Sequence, residues 1–186
     1  ARGKKMGKVY KYLPMAYYKT IYDIDYEKYY QYGKRYILFD LDNTLASYDQ
    51  ATCDEKVLKL LDQVRSLGYT ILVVSNNSKE RVDKFIEPIN CLSVPRAMKP
   101  LKKGFKKALK LLNLTNASEV MLVGDQIMTD VYGARKLEID TVLVKPIKKS
   151  NENWYTKFNR AREQRLYKRI KKKYPHVYEE LKELIN

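Results

Sequence analysis

Two carboxylates stand one residue apart in the segment Asp40-Leu41-Asp42, directly after an apolar run. Carboxylates placed in this way can divide the work of a two-step group transfer, with Asp40 as the nucleophile. Asp42 would then be the acid that protonates the leaving oxygen and later activates water. The same residues also fit an ordinary Asp/Asn-rich turn, so this segment alone leaves both interpretations open.

A hydroxyl and two amides follow a second apolar run, in the segment Ser75-Asn76-Asn77. A hydroxyl and backbone N–H groups at a strand end, where a helix begins, can hold a phosphate group. Such residues are also typical of an ordinary helix N-cap, and taken alone they favour the cap.

A lysine and a second acidic segment complete the set of candidate residues. Lys99 precedes Pro100, which disfavours a helical backbone at the lysine, and its ammonium could offset charge on a nucleophile and a phosphate. Asp125 could form an oxygen-rich magnesium site with Asp40, and Asp130 could anchor Lys99 or water on the metal. A solvated lysine and a capped helix start are the alternative interpretations.

Short apolar runs alternate with helical patterns in the middle of the chain, which is typical of parallel βαβ units. The predicted strands are Tyr36 to Phe39, Thr70 to Val74, Val120 to Val123 and Thr141 to Val144. The predicted helices lie near Asp54 to Leu67, Glu80 to Ile86, Leu101 to Leu112 and Ile127 to Leu137. This pattern predicts a doubly wound, Rossmann-like α/β domain with a parallel sheet. The active site of such a domain lies beyond the carboxyl ends of the strands, where the candidate acids and Ser75 stand.

The four polar segments occur in one order at successive strand ends, and in this order they resemble the four signature motifs of the haloacid dehalogenase (HAD) phosphatases. The resemblance covers about residues 36–145. It implies that Asp40 is transiently phosphorylated, that Asp42 is the acid and base, and that Mg²⁺ is the cofactor. It assigns phosphoryl binding to Asn43, Thr44, Ser75, Asn76 and Lys99, metal binding to Asp40, Asp42 and Asp125, and supporting roles to Gly124 and Asp130.

Further stretches are similar to the YqeG subgroup of the class IIIA phosphatases. They are Ile21-Tyr22-Asp23-Ile24-Asp25, Lys99-Pro100, Gly124-Asp125-Gln126 with Thr129-Asp130, and Thr156-Lys157-Phe158-Asn159-Arg160. That subgroup is similar to the phosphatidylglycerophosphate phosphatases of mitochondria and plastids. The resemblance therefore implies phosphatidylglycerophosphate or a related lipid phosphate as the substrate.

The intervals between the candidate residues leave no room for a cap domain. Leu45 to Ser75 can hold a short flap and one helix, and Lys99 to Gly124 can hold one more helix. We therefore expect a HAD core without a cap domain. Its open site would suit a phosphate displayed on a large molecule, such as a lipid, a protein or a nucleic acid end.

The formal net charge of +15 is concentrated at the two ends of the chain. Residues 1–35 hold nine Lys or Arg and three acids, residues 145–186 hold thirteen and five, and residues 36–144 hold fifteen and fourteen. We predict a basic, Tyr-rich N-terminal arm at 1–35, the HAD core at 36–148 and a basic C-terminal helical extension at 149–186. The basic ends indicate an anionic partner, either a membrane surface or nucleic acid.

Aromatic and basic residues are mixed in the N-terminal arm, which suits the interface of a bilayer. An arm whose tyrosines pack on the core is the alternative. We favour a lipid phosphatase that is cytoplasmic and peripheral on the inner membrane face, with no obligate protein partner. The basic C-terminal segment could also follow a nucleic acid backbone. The alternative function is therefore a basic RNA- or ribosome-associated factor whose core acts on a nucleotide-type or other soluble phosphate.

The composition argues against several other kinds of chemistry. His176 is the only histidine, and Cys53 and Cys91 form no CxxC pair, which disfavours a Ser-His-Asp triad, a zinc site and a disulfide framework. A reducing, intracellular compartment fits these cysteines best. The chain has no apolar run of about 20 residues, so we expect no membrane-spanning helix. Residues 1–5 carry little weight because the sequence begins at Ala1.

Overall fold

A six-stranded parallel sheet forms the centre of the computed structural model, which describes residues 7–147 and 154–185. The strand order across the sheet is β1-β6-β5-β2-β3-β4, and each neighbouring pair is parallel. The strands are β1 (Ala16–Tyr18), β2 (Tyr36–Phe39), β3 (Thr70–Val74), β4 (Leu92–Val94), β5 (Val120–Gly124) and β6 (Asp140–Val144). The four strands predicted from the apolar runs are confirmed, within one residue at each end.

The central strands are buried on both faces because helices cover the sheet from both sides. Ile37, Phe39 and Val73 point into a core with the helices on one face, whereas Leu38 and Leu72 point into a core with the helices on the other. This arrangement explains why these strands are continuous apolar runs rather than alternating ones. The predicted doubly wound, Rossmann-like α/β class is confirmed.

Seven α-helices lie within the described ranges. They are α1 (Tyr26–Gln31), α2 (Glu55–Ser66), α3 (Lys79–Ile86), α4 (Lys102–Leu111), α5 (Tyr132–Arg135), α6 (Trp154–Lys173) and α7 (Pro175–Ile185). The side chains of Asp54 and Ser78 cap α2 and α3 by accepting backbone N–H bonds. Between β2 and β3 the chain forms only α2, and between Lys99 and β5 only α4, so no cap domain interrupts the core.

The predicted helix from Ile127 to Leu137 is regular only in its second half. Its first turn, Ile127–Val131, is π-helical, and α5 follows it. The carboxylate of Asp130 accepts the backbone N–H of Gln126 at 3.2 Å, and a side chain from a distant helix accepts the next two N–H groups. These side-chain acceptors replace the backbone bonds of an ordinary first turn.

The N-terminal segment contributes to the sheet, which its sequence did not predict. Strand β1 pairs with β6 from Ala16↔Val142 to Tyr18↔Val144. Tyr26 and Tyr29 of α1 are buried in the main core. For these residues the structure therefore favours the alternative in which tyrosines pack on the core. Strands β1 and β4 have three residues each, too few for a recognisable pattern.

Helices α6 and α7 pack beside the edge strand β1 and its neighbour β6. Leu166, Tyr167 and Ile170 of α6 and Leu181 of α7 are buried together with Leu143 and with Ile127 of the π-helical turn. The predicted C-terminal helical extension thus packs against β6 and against the turn that follows β5. The predicted boundary between residues 148 and 149 lies outside the described residues. Where the chain is described, no helix combines the length and the apolar character needed to cross a bilayer.

Candidate active site

A cavity of about 200 Å³ opens at the carboxyl edge of the sheet, where the loops after β2, β3 and β5 meet. Its lining consists of Asp40, Asp42, Tyr48, Ser75, Asn76, Asn77, Ser78, Lys99, Gln126 and Thr129. Five of the residues predicted to form the site are in this set. Parallel strands bring these loops together because all their carboxyl ends lie at one edge.

Lys99 is the cation at the buried end of the cavity. Its side chain is 2% exposed, and its Nζ lies 2.7 Å from Oδ1 of Asp40 and 2.6 Å from Oδ1 of Asp130. Burial alone would lower the pKa of Lys99, but the carboxylates of Asp130 and Asp40 outweigh burial and raise it. Lys99 is therefore protonated across the physiological pH range and joins the two acids as a fixed positive charge.

Asn76 holds the backbone of Lys99 in place. Its Oδ1 accepts the Lys99 N–H at 2.7 Å, and its Nδ2 donates to the Lys99 carbonyl at 3.1 Å. Both ends of the Asn76 amide contact the backbone of Lys99, and Asn76 also lines the cavity, so its predicted binding of the substrate stays a prediction. Ser75 is 1% exposed, and its Oγ accepts the N–H of Asn77 at 3.0 Å beside the same cavity.

Three buried carboxylates meet beside Lys99. One oxygen from each of Asp40, Asp125 and Asp130 lies within 4.8 Å of the other two. The hydroxyl of Thr44 bridges the cluster, at 3.3 Å from Oδ2 of Asp40 and 3.2 Å from Oδ1 of Asp125. Burial and the nearby Asp40 charge raise the pKa of Asp130 to about 6, and the same two causes raise the pKa of Asp125 well above its ordinary range.

The carboxylate cluster fits a hard divalent cation. Burial and the charge of Asp40 raise the pKa values of Asp125 and Asp130, so an added cation would favour the ionised forms of these two carboxylates. Carboxylate oxygens, together with water and substrate phosphate, are the ligands that Mg²⁺ takes in phosphoryl-transfer sites. Asp40, Asp125 and Asp130 are therefore the residues that could hold such an ion.

Gly124 allows Asp130 to reach this cluster. A Cβ atom at position 124 would lie 2.5 Å from both Cγ and Oδ2 of Asp130. Even an alanine would therefore push the Asp130 carboxylate away from Lys99. This close approach requires glycine at position 124, whereas the supporting role that the resemblance assigned to Gly124 stays a prediction.

Asp42 points away from the carboxylate cluster. Its Oδ2 accepts from Nδ2 of Asn77 at 2.8 Å, and its Oδ1 accepts from Nη2 of Arg81 at 3.0 Å. Burial raises the pKa of Asp42 and the Asp40 charge adds to the rise, although Asn77 and Arg81 oppose it. A carboxyl group with a raised pKa at the cavity wall suits proton transfer. The Asp42 side chain lies outside the cluster of Asp40, Asp125 and Asp130, and the predicted metal-binding role of Asp42 stays a prediction.

Asn43 and Thr44 have different environments although they are neighbours. Asn43 has a φ of 62°, a left-handed conformation that asparagine tolerates better than most residues, and it turns the chain back so that its N–H donates to Ala46 at 2.6 Å. Thr44 thereby faces the carboxylates. Asn43 itself is 1% exposed at this turn.

Among the residues that were not predicted to belong to the site, four contact its acidic segments. Asn77 and Arg81 bind Asp42, and Arg160 and Glu163 of α6 reach the segment after β5. Arg160 stands in the stretch Thr156 to Arg160 noted above, but the sequence assigned it no role. Nothing in local sequence distinguishes Arg81 or Glu163 from other surface-type residues of a helix, because their partners lie 39 and 36 residues away.

Glu163 is a buried acid whose titration should affect stability. Oε1 of Glu163 accepts the N–H groups of Ile127 at 2.6 Å and Met128 at 3.3 Å, and the residue is 5% exposed. Burial raises its pKa from 4.5 to about 7, although Arg160 and the two N–H groups oppose the rise. The folded state therefore binds more protons than the unfolded state between these pH values, so Glu163 makes the metal-free protein less stable as pH rises through this window.

We expect Glu163→Gln to remove this pH dependence, since glutamine keeps the carbonyl acceptor but carries no charge. At pH 8 in EDTA the variant should be more stable than the wild type by roughly 3 kcal/mol, whereas at pH 4.5 the two should be nearly equal. Chemical unfolding across the pH range measures the difference. A wild-type stability that rises, relative to the variant, between pH 4.5 and 7 would contradict this expectation.

Comparison with known proteins defines the class of this enzyme. Residues 18–137 match the haloacid dehalogenase-like hydrolase family, and residues 97–180 match a second family described as HAD-hydrolase-like. The chain therefore belongs to the haloacid dehalogenase-like hydrolase family. The architecture agrees: the chain superposes on the HAD-hydrolase YfnB from Bacillus subtilis, solved with bound magnesium, with a TM-score of 0.52 and 13% identity, over 64% of this chain and 90% of that one.

Within this family the chain is similar to proteins named as phosphatases. It is 32% identical to "Probable phosphatase YqeG" of Bacillus subtilis over 162 residues, which are 87% of this chain and 93% of that protein. It is also 32% identical to the glyceraldehyde 3-phosphate phosphatase of Pyrococcus abyssi over 96 residues, but there it covers only 40% of the relative. The resemblance to YqeG noted from the motifs is confirmed.

Proposed function

We propose that this protein is a Mg²⁺-dependent phosphatase that hydrolyses a phosphate monoester through a phosphorylated Asp40. The observation that carries the proposal is the contact of Lys99 with both Asp40 and Asp130 at the buried end of the cavity. A fixed cation beside Asp40 would neutralise the charge of a phosphoryl group and of the nucleophile, which supports the proposal. A bound Mg²⁺ would supply further neutralisation of the phosphoryl oxygens.

The reaction would proceed in two displacements. In the first, a carboxylate oxygen of Asp40 forms a bond to phosphorus while the bond from phosphorus to the ester oxygen breaks, and Asp42 donates its proton to that leaving oxygen. In the second, Asp42 takes a proton from a water molecule whose oxygen attacks the phosphorus. The bond between phosphorus and Asp40 then breaks, so inorganic phosphate leaves and both aspartates return to their starting states.

We expect Asp42→Asn to slow turnover of alkyl phosphates by about 10²–10⁴-fold, because general acid–base catalysis contributes about this much. An aryl phosphate such as p-nitrophenyl phosphate has a leaving group that needs little protonation. Phosphorylation of Asp40 by this aryl ester should be slowed much less than by an alkyl ester. Hydrolysis of the phosphoenzyme still needs Asp42 as the base and should stay slow, so phosphoenzyme should accumulate. Rapid-quench measurement of phosphoenzyme with both esters checks this, and equal slowing of the first step for both would argue against Asp42 as the acid.

The substrate that we propose is a lipid phosphate, phosphatidylglycerophosphate or a close relative. The open, uncapped cavity supports a substrate whose phosphate is displayed on a large body. Thr44, which contacts Asp40 and Asp125, also lines a second cavity of about 380 Å³. It is lined by apolar side chains that include Ile21 and Ile147, with Lys19 and Lys145 beside them. This lining suits the glyceride part and the second phosphate of such a lipid.

An anionic membrane surface is the partner that we propose for the outer face of α6. This cationic face consists of Lys168, Arg169, Lys171, Lys172 and Lys173, all exposed. Cations at a head-group surface each contribute about 1 kcal/mol of binding energy. The protein would then act from the inner face of the membrane on lipids that lie in the same surface.

Phosphate release from a panel of esters tests the substrate. Phosphatidylglycerophosphate and phosphatidic acid in vesicles would be compared with glycerol 3-phosphate, glyceraldehyde 3-phosphate and a 5′-nucleotide, each with and without Mg²⁺. We expect Mg²⁺-dependent release that is fastest with the lipid. Release confined to the soluble esters would overturn the lipid assignment, and release that EDTA does not affect would overturn the metal requirement.

Vesicle binding tests the membrane surface. We expect co-sedimentation with vesicles that contain anionic lipid, and its loss when Lys168, Arg169 and Lys172 are replaced by Gln. The matched control replaces three exposed lysines of α4, Lys106, Lys107 and Lys110, by Gln and should sediment like the wild type. Tight RNA binding in a shift assay at physiological salt, with no vesicle binding, would instead favour the RNA- or ribosome-associated alternative.

A further inference from the structure

Helix α6 has a buried face that carries charge as well as apolar side chains. Leu166, Tyr167 and Ile170 on this face pack on the sheet edge, as expected for a docked helix. On the turn before them, Glu163 is 5% exposed and the Arg160 side chain is 15% exposed. Burying two charged groups is unfavourable unless each has a partner, so their partners define what this part of the helix does.

Arg160 binds one oxygen of Asp125. Its Nη2 lies 2.7 Å from Oδ2 of Asp125, whose side chain is fully buried. The other oxygen, Oδ1, lies 3.2 Å from the hydroxyl of Thr44, which is itself 3.3 Å from Oδ2 of Asp40. The two oxygens of Asp125 therefore face different partners: Oδ2 faces α6 and Oδ1 faces the nucleophile.

Glu163 binds the backbone of the turn that joins Asp125 to Asp130. It accepts the N–H groups of Ile127 and Met128, which have no acceptor within a regular helical turn. Oε2 of Glu163 also lies 4.0 Å from Nη1 of Arg160, which is one turn earlier on the same helix. One helix thus holds both the side chain of Asp125 and the backbone that follows it.

We propose that Arg160 is a positioning residue for the divalent cation, and that the first turns of α6 belong to the catalytic unit. Arg160 holds Oδ2 of Asp125 in a charge-assisted hydrogen bond, which leaves Oδ1 oriented toward Asp40 as a single-oxygen ligand. Its guanidinium also offsets the negative charge of the Asp125 carboxylate, which lies buried beside Asp40. This inference rests on the proposed metal-dependent phosphatase function.

Binding of Mn²⁺, followed by the electron paramagnetic resonance signal of the free ion, tests the inference without turnover. Outer partners of metal ligands typically change metal affinity by about 10–100-fold, and we expect R160M to raise the Kd for Mn²⁺ by that factor. R160K, which keeps the charge but not the planar donors, should lie between R160M and the wild type. R165M is the matched control on the same helix: Arg165 is exposed, and its variant should bind Mn²⁺ like the wild type.

Activity provides a second measurement that a merely structural role would not alter. The loss of kcat in R160M should be relieved as the Mn²⁺ concentration is raised, with KM for a soluble ester little changed. A Kd for Mn²⁺ in folded R160M equal to that of the wild type overturns the inference alone, whereas a wild type that binds no Mn²⁺ overturns the proposed metal dependence as well. If R160M does not fold by circular dichroism, R160Q takes its place with the same expected and overturning results.

Discussion

Asp40→Asn is expected to abolish phosphoenzyme formation and to lower turnover by at least about 10³-fold, because the amide cannot act as the nucleophile. Asparagine has nearly the same shape, so the cavity should persist. Acid quenching with a radiolabelled ester, followed by intact-mass measurement, reports the phosphoenzyme directly. Asp62→Asn is the matched control, since the Asp62 side chain is 75% exposed on α2 and should leave both quantities unchanged.

The same variant should not be less stable than the wild type when metal is absent. Asp40 adds to the raised pKa values of Asp125 and Asp130, so removing its charge relieves repulsion within the cluster. Lys99 keeps Asp130 as a partner at 2.6 Å. Thermal unfolding in EDTA should therefore give an equal or higher midpoint for Asp40→Asn. A variant that forms phosphoenzyme at the wild-type rate would rule out Asp40 as the nucleophile.

Lys99→Met should damage both stability and activity. Removing one member of a buried, hydrogen-bonded charge group costs about 3–5 kcal/mol, because the remaining carboxylates are left without their cation. Turnover should fall by about 10³-fold, since a fixed charge on the transferred group is lost. Denaturant unfolding and steady-state kinetics measure the two effects.

The effect of Mg²⁺ on the stability of Lys99→Met distinguishes a role at the metal site from a role in the protein core. We expect Mg²⁺ to restore stability to Lys99→Met by a larger increment than it adds to the wild type, because the cation replaces part of the missing positive charge. Lys34→Met is the matched control: Nζ of Lys34 lies 2.7 Å from Asp140 and 2.8 Å from the Ser118 carbonyl, remote from the cluster. That variant should lose stability without any change in its response to Mg²⁺. An identical Mg²⁺ response in both variants would contradict the placement of Lys99 at the metal.

Much of the core was predictable because local sequence and tertiary environment agree there. The runs at β2, β3 and β5 are continuously apolar since both faces of these strands are covered, and such runs remain visible without a structure. Candidate residues at the ends of such strands must converge, whatever their side-chain rotamers. Asp40, Ser75 and Asp125 were therefore located correctly at one edge of the sheet by order and spacing alone.

Strand β1 and the π-helical turn were not predictable because their local sequences do not determine their conformations. Strand β1 has three residues with intermediate burial, and its strand geometry depends on pairing with β6 rather than on a pattern of its own. The π-helical turn at Ile127–Val131 likewise depends on Glu163, a residue from another helix. In both cases the partner that determines the conformation is distant along the chain.

The sequence by itself determined the fold class, the order of the strands that carry polar ends, and the identity of the acids and the lysine available for phosphoryl transfer. Only the tertiary structure decided how these groups are paired. It turned Asp42 toward Arg81 and away from the carboxylate cluster, and it brought Arg160 onto Asp125. Hydrophobic periodicity is a local property that determines which elements form, whereas a buried charge takes whichever partner the packed elements place within about 3 Å of it.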